Sequence, residues 1–297
     1  MKDAADSTIA QPAVTRIRPG LLRLIRLRAV PGRTKVYIGG GIVGAVALLT
    51  LLAPFIAPRN PIAQDLSTAL KGPSLQHLFG TDQFGRDVLS RTLYAGRLDL
   101  EIAFLGTVFC FLGGVALGLL GGYFGGLVDL LVGRLVDLVI AFPSIVLIIA
   151  LIAFLGNNLT NLLIAITVTG WTAYTRITRG EVLLVKNLPY IQAARALGYR
   201  HRRILLRHIV PNVITPAGLF WITDMVGTIL LVTSLSYLGL GPQPPTPEWG
   251  AIIAEARPFI LRAWWIPLFP GLAILVTGIG LALLGDGLVD VLRPESE

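Results

Sequence analysis

The chain has 297 residues, 54% hydrophobic and only 14% charged; soluble domains carry roughly 25% charged residues, so this composition excludes an ordinary water-soluble fold and points to an integral membrane protein. The net charge of +8 is gathered into a few segments, which argues for one face of a membrane and against nucleic acid as a partner. The single cysteine, Cys110, sits inside an apolar run and excludes an intrachain disulfide or a cysteine-based metal site.

A bilayer core of ~30 Å takes ~20 apolar residues as helix. Six segments meet that length, predicting an all-α polytopic membrane protein with six transmembrane helices. Residues 1–35 precede them as a basic segment in which cationic and apolar residues alternate. It fits an anchor on anionic membrane lipid or a solvated basic tail. The first span, 36–57, lies too far along the chain and is too long for a signal peptide. Its "GGGIVG" (Gly39 to Gly44) formally matches a dinucleotide fingerprint, but no strand precedes it, so that reading is rejected. A polar segment, 58–97, follows. In its "TDQFGRDVLSR", Asp82 is the expected N-cap of an interfacial helix. Arg86 and Asp87 are expected as anchors rather than gate residues.

The core, 98–290, holds the other five spans. The second, 100–123, carries Gly114, Gly118 and Gly122, with Gly126 just beyond, every fourth residue. That spacing predicts one smooth stripe where a second backbone can approach. The third, 130–155, contains Pro143 and starts near Asp129, Arg134 and Asp137, of which Arg134 and Asp137 are spaced to pair. The fourth, 159–177, is less apolar because of Trp171, several Thr and Arg176. The fifth, 213–238, encloses Asp224. A carboxylate inside a span costs ~2.5–3.5 kcal/mol, so it faces a translocation path or is a hydrogen-bonded structural group. Before the last span lies the proline-rich "PQPPTPEWG", ending near Trp249, a stiff external segment that either meets a partner or packs as a cap. The sixth, 266–289, repeats glycine at Gly271, Gly278 and Gly285, a second expected contact stripe. Residues 291–297 form a short tail.

Six spans put both termini on one side. That side collects eighteen Lys and Arg, the other seven, so the positive-inside rule makes it the cytoplasm. The loop 178–212 is then cytoplasmic. Within it, "NLPYIQAARALG" places Pro189 at a helix start and Gly198 at its end, a helix of barely two turns with Ala193, Ala194 and Ala196. Such small side chains can sink into a groove on a partner. A second basic helix, "RHRRILLRHIV", is expected to stop at Pro211. No G-x-x-x-x-G-K-[ST] occurs, so the chain carries no P-loop. His77, His201 and His208 form no metal-ligand pattern, and no catalytic constellation, metal site or bound cofactor is predicted.

"QAARALG" followed by "HIVPN" resembles the EAA loop of permease subunits of binding-protein-dependent ABC importers. Gln192, Ala193, Ala194, Gly198, His208, Val210 and Pro211 stand at the pattern's positions, with Gln in place of the first Glu and Val in place of Leu before the proline. "FGTDQFGRDVLSR", "LSYLGLGPQPPTPEWGAII", "WWIPLFPGLAI" and "LGDGLVDVLRP" resemble the C-type permeases of the dipeptide, oligopeptide and nickel systems. Where many such permeases carry Glu, this chain has Val232. The resemblance implies a type I ABC importer permease fold, paired with a B-type permease subunit in a prokaryotic cell membrane. It also implies two cytoplasmic ATPase subunits that hold ATP and Mg, and an extracytoplasmic binding protein. Tyr190, Gln192, Ala193, Ala194, Arg195, Leu197, Gly198, His208 and Pro211 would then couple to an ATPase. Asp224 would line the path, and Asp82, Arg86, Asp87 and Trp249 would belong to the external segment. The readings outside this family are an ion-gradient-driven secondary transporter, for which Asp224 would be the key residue, and a membrane scaffold.

Overall fold

The computed structural model describes residues 31–292. Most of the basic segment 1–35, and Arg293 with the rest of the tail, lie outside the described residues. Among those described, the protein is helical, and its one β feature is the isolated bridge between Thr81 and Asp87. The helices are α1 (Gly32–Leu51), α2 (Ala53–Ile56), α3 (Val88–Phe124), α4 (Gly126–Ile140), α5 (Ser144–Leu155), α6 (Leu159–Val185), α7 (Pro189–Ala196), α8 (His201–Ile204), α9 (Val210–Tyr237), α10 (Trp249–Glu255) and α11 (Trp265–Leu292).

Four helical runs are long and apolar enough to cross a membrane: α1, α3, His201–Tyr237 and α11. The pair α4–α5 makes a fifth crossing if counted as one, but it bends by 83° at the break before Pro143, so the expected third span is two helices. Pro143 supplies the break, since it cannot donate into the ladder. The expected fourth span is α6, whose 27 residues give it the length. Its second half carries Arg176, Arg179 and Glu181, and it falls short of the other spans in apolarity. Among the described residues four crossings thus stand, five if the bent pair counts as one, and the remaining expected span, α6, has the length but not the composition.

Two close helix contacts organise the bundle. Gly114 and Gly118 of α3 press on α6: a Cβ on Gly118 would stand 2.7 Å from the Thr175 carbonyl and 2.8 Å from Thr178 Cβ. Gly122 meets Val182 one turn further on. Gly126 does not extend this stripe; it opens α4, with nothing nearby. The stripe expected on α11 is also corrected. Gly271 touches nothing, and a Cβ on Gly278 or Gly285 would face Val226 or Thr223 of α9 at 3.8 or 3.2 Å. The tightest approach is to α1, through Gly280 against Ile42 and Gly287 against the Gly32 carbonyl, both closer than a Cβ would allow. Two seven-spaced glycine sets share this helix, and burial against α1 selects the one the sequence reading passed over.

At one end of the bundle, segment 59–87 and α10 form a cap around buried charge. Asp82 does not cap α3. Its Oδ1 accepts from the Phe84 and Arg86 N–H groups at 2.8 and 3.0 Å, closing a tight turn in which Gly85 has φ +71°. Its Oδ2 takes Arg86 Nε at 2.6 Å and Arg91 Nη1 at 2.5 Å. Glu255 closes the cluster, 2.5 Å from Arg86 Nη2 and 3.0 Å from Arg91 Nη1. The N-cap of α3 is Asp87, which accepts from Ser90 N–H and also faces His77 Nδ1 at 3.0 Å. Arg86 and Asp87 therefore hold the cap together and do not anchor it at a lipid interface. Trp249 is fully buried beneath it, with its indole N–H on the Thr92 carbonyl at 3.0 Å.

Burial alone would raise the Glu255 carboxyl, but Arg91 and Arg86 outweigh it and hold the group below its ordinary value. Its stabilising contribution is therefore complete above about pH 4.5 and is lost as pH falls through the depressed folded value. Thermal unfolding in detergent, followed from about pH 6 to about pH 3, should show this loss, and Glu255→Gln should remove that part of the pH dependence. Asp82→Asn leaves two buried guanidinium groups short of a counter-charge and should cost about 3–5 kcal/mol; an unchanged Tm would contradict the cluster's structural role.

Candidate functional site

At the opposite end, the chain leaves α6 and turns back through α7. Leu188 is extended, Pro189 opens the helix with its φ already set, and two turns follow. The helix closes in a Schellman arrangement. Gly198 N–H donates to the Arg195 carbonyl at 2.9 Å and Tyr199 N–H to the Ala194 carbonyl at 3.1 Å, with Gly198 at φ +76°. Both predicted ends of this helix are where the sequence put them.

Ile191 and Ala194 face inward and pack with Val182, Val185, Ile204, Ile209, Val213 and Tyr123. Ala194 is thus part of the root, not of the exposed face. Gln192, Ala193, Arg195, Ala196 and Gly198 are exposed, and Leu197 is 74% exposed despite being apolar. The loop is also tied to the end of α3. Tyr123 Oη meets His201 Nδ1 at 2.8 Å, Lys186 Nζ donates to the Gly122 carbonyl at 2.7 Å, and Arg195 lies over the Tyr123 ring. His208 sits between the rings of Tyr190 and Tyr199.

The second basic helix does not stop at Pro211. A π-helical turn, Leu205–Ile209, leads from α8 into α9, and Pro211 occupies the first turn of α9. The wider turn accommodates a residue that has no N–H to give, and Asn212 Nδ2 donates to the His208 carbonyl at 2.6 Å. The basic stretch and the fifth span are therefore one continuous run.

Halfway along α9, Asp224 borders a cavity of about 460 Å³ between α5, α6 and α9. Its Oδ2 accepts from Tyr174 Oη at 2.7 Å. Tyr174 is fully buried on α6, packed edge-on against Phe111 and Phe220. Nearer the loop, Asp129 of α4 pairs with Arg179 of α6 at 2.5 and 2.7 Å. The expected pair between Arg134 and Asp137 does not form; both border a shallow hollow beside Arg179. Val232 lies two turns beyond Asp224 and is buried in the α3–α6–α9 core. Sequence reasoning passed over Tyr174, Arg179, Arg91 and Glu255. The only signal for Tyr174 was a polar ring inside a span; the others read as ordinary loop or end charges.

The family model described as binding-protein-dependent transport system inner membrane component matches residues 114–296. Among curated proteins, the chain is 38% identical to a dipeptide transport system permease protein DppC of Alkalihalophilus pseudofirmus, over 87% of this chain and 85% of that one. It is 39% identical to a di/tripeptide transport system permease protein DppC of Pseudomonas aeruginosa, over 84% of each. It is 41% identical to a glutathione transport system permease protein GsiD of Escherichia coli, over 84% of this chain and 82% of that one.

At Gly198 an added Cβ would meet no atom within 4 Å, so the left-handed backbone alone resists substitution. Gly198→Ala should cost about 1–2 kcal/mol of local stability. Hydrogen exchange at the α7 amides should then speed up roughly five- to thirty-fold while the spans keep their protection. Unchanged exchange in α7 would contradict the closing role of this residue.

Proposed function

The chain belongs to the family of binding-protein-dependent transport system inner membrane components, so it is a multi-pass membrane permease subunit of an ABC importer, and from that we propose a finer assignment. Its substrates are di- or oligopeptides or related small solutes, an assignment supported by relatives named for dipeptide, di/tripeptide and glutathione transport. It forms half of a translocation pathway, and a B-type permease forms the other half. Two cytoplasmic ATPase subunits bind ATP and Mg and supply the hydrolysis for which this sequence has no P-loop. An extracytoplasmic binding protein delivers the substrate. The α7 end faces the cytoplasm and the charged cap faces outside, in line with the excess of Lys and Arg around α7. The polar segment 58–97 then lies outside the membrane, the loop 178–212 inside the cell, and α6 counts as the sixth crossing.

The observation that carries this reading is the two-faced α7. One face is buried in the bundle through Ile191 and Ala194, and the other offers small residues and Leu197 to a partner. A helix held in this way passes a push from an ATPase cleft into the permease core instead of absorbing it. Tyr190, Gln192, Ala193, Arg195, Leu197 and Gly198 make the docking surface. Ala194, His208 and Pro211 shape the seat behind it. None of the three relatives' names favours an ion-driven mechanism, and Asp224 is read as a lining residue of the pathway.

Purifying the tagged chain gently from its host and identifying what accompanies it by mass spectrometry should recover one B-type permease and one or two P-loop ATPases. Recovery of the chain alone would count against the assignment. With Gly198→Ala as the control for the left-handed backbone strain that both share, Gly198→Arg places a long cation on the docking face. It should leave insertion and abundance intact while substrate-stimulated ATP hydrolysis and uptake fall out of step. Coupling that matches the parent chain would count heavily against α7 as the contact.

A further inference from the structure

The cavity beside Asp224 has a chemical signature beyond that of a passage. It is bordered by one carboxylate, by the hydroxyl residues Ser144, Thr169, Thr228 and Ser234, and by apolar Ile145 and Ile148, with no Lys, Arg or His on its wall. Asp224 stands midway along α9, where a carboxylate is costly unless something positive or hydrogen-bonding answers it. Tyr174 answers one oxygen; among the described residues no donor reaches the other. The Thr169 and Ser234 hydroxyls spend their protons on carbonyls of their own helices, at 3.0 and 2.7 Å. Each is left as an acceptor toward the cavity. The Ser144 and Thr228 hydroxyls can turn an oxygen the same way, so the wall can present acceptors beside its negative charge and holds no fixed cation, and it has the volume of a small-ligand site.

We infer that this cavity binds the primary ammonium group of the solute in transit, with Asp224 as its counter-ion. The inference rests on the importer reading above and names the substrate chemistry of the pathway. An ammonium ion has three donors and no acceptor, the complement of this wall. The apolar side, Ile145 and Ile148, suits an adjoining side chain. Arg176 and Arg179 lie nearer the loop, around a separate hollow with Asp129 and Asp137. A solute moving inward thus leaves an anionic site and next meets mixed charge.

The test uses the whole importer in nanodiscs. Gly227 lines the cavity, and an added Cβ there meets nothing within 4 Å, so Gly227→Cys places a reporter thiol in the space. The parent chain, with Cys110 alone, sets the background. Modification by a cationic methanethiosulfonate reagent is compared with modification by its anionic counterpart. Asp224→Asn should lower the cationic-to-anionic rate ratio about tenfold, the effect of one poorly screened charge a few ångströms away, and Asp224→Glu should restore it. Alanyl-alanine should slow the cationic reagent, and N-acetyl-alanyl-alanine at the same concentration should not.

A ratio indifferent to Asp224→Asn, equal protection by both peptides, or equal protection by sodium chloride would each overturn the ammonium site. If Asp224→Asn does not assemble, the two-peptide comparison with native Asp224 decides alone. Loss of the site in a complex that still contains its ATPases and takes up peptide leaves the importer reading standing. A chain that purifies without ATPases removes that reading, whatever the labelling shows.

Discussion

The contact between α3 and α6 carries the arrangement of the site. Lipid offers helices little hydrophobic reason to associate, so close packing has to supply the attraction. Gly114, Gly118 and Gly122 let the backbone of α6 come so near that any side chain at these positions would collide with it. The side chains of α6 that reach across the bundle are placed by that approach. Tyr174 is aimed across at Asp224, Arg179 at Asp129, and Val182 and Val185 at the root of α7. A shift of α6 along α3 by one turn would misplace all of them together.

Charge is divided between the two ends in different physical forms. In the cap, Asp82, Arg86, Arg91 and Glu255 are mutually paired and withdrawn from solvent. Arg91 is 1% exposed and still keeps two nitrogens without a hydrogen-bond partner. Such a cluster contributes less to net stability than to fixing a single arrangement of the segments that meet in it, because desolvation consumes much of the attraction. At the other end, Arg195, Arg200, Arg202, Arg203 and Arg207 stay largely open to solvent. There the charge remains available to anionic surfaces, which a neutralised network could not offer.

Features with a local cause were legible in the sequence. The apolar runs gave four of the six expected spans outright, and Pro189 and Gly198 gave both ends of α7, because backbone preferences at those residues need no distant partner. The glycine stripe on α3 was visible for the same reason. What escaped depends on pairing across the bundle. Asp129 was not spaced to pair with nearby Arg134 and found Arg179, fifty positions away, on the helix brought against it. Asp82 had the look of a helix cap and became the hub of an ion cluster, since Glu255, the second carboxylate that shares Arg86 and Arg91 with it, is brought there by the fold alone. Pro211 was read as a stop, and the π-helical turn before it allowed the helix to run on. The carboxylate in the fifth span was evident; the tyrosine that orients it was not.

The second span lies in α3, a helix of 37 residues without a proline, or about 55 Å from end to end. Its last turn, through Tyr123, lies under the loop, and its first turn carries Arg91 into the ion cluster. It is in effect a connecting rod between the two faces of the membrane. A stiff member of that length does not damp motion; it relays it. A tilt imposed at the Tyr123 end would therefore reappear beneath the cap. Opening at one surface and closing at the other would then be two views of a single rotation.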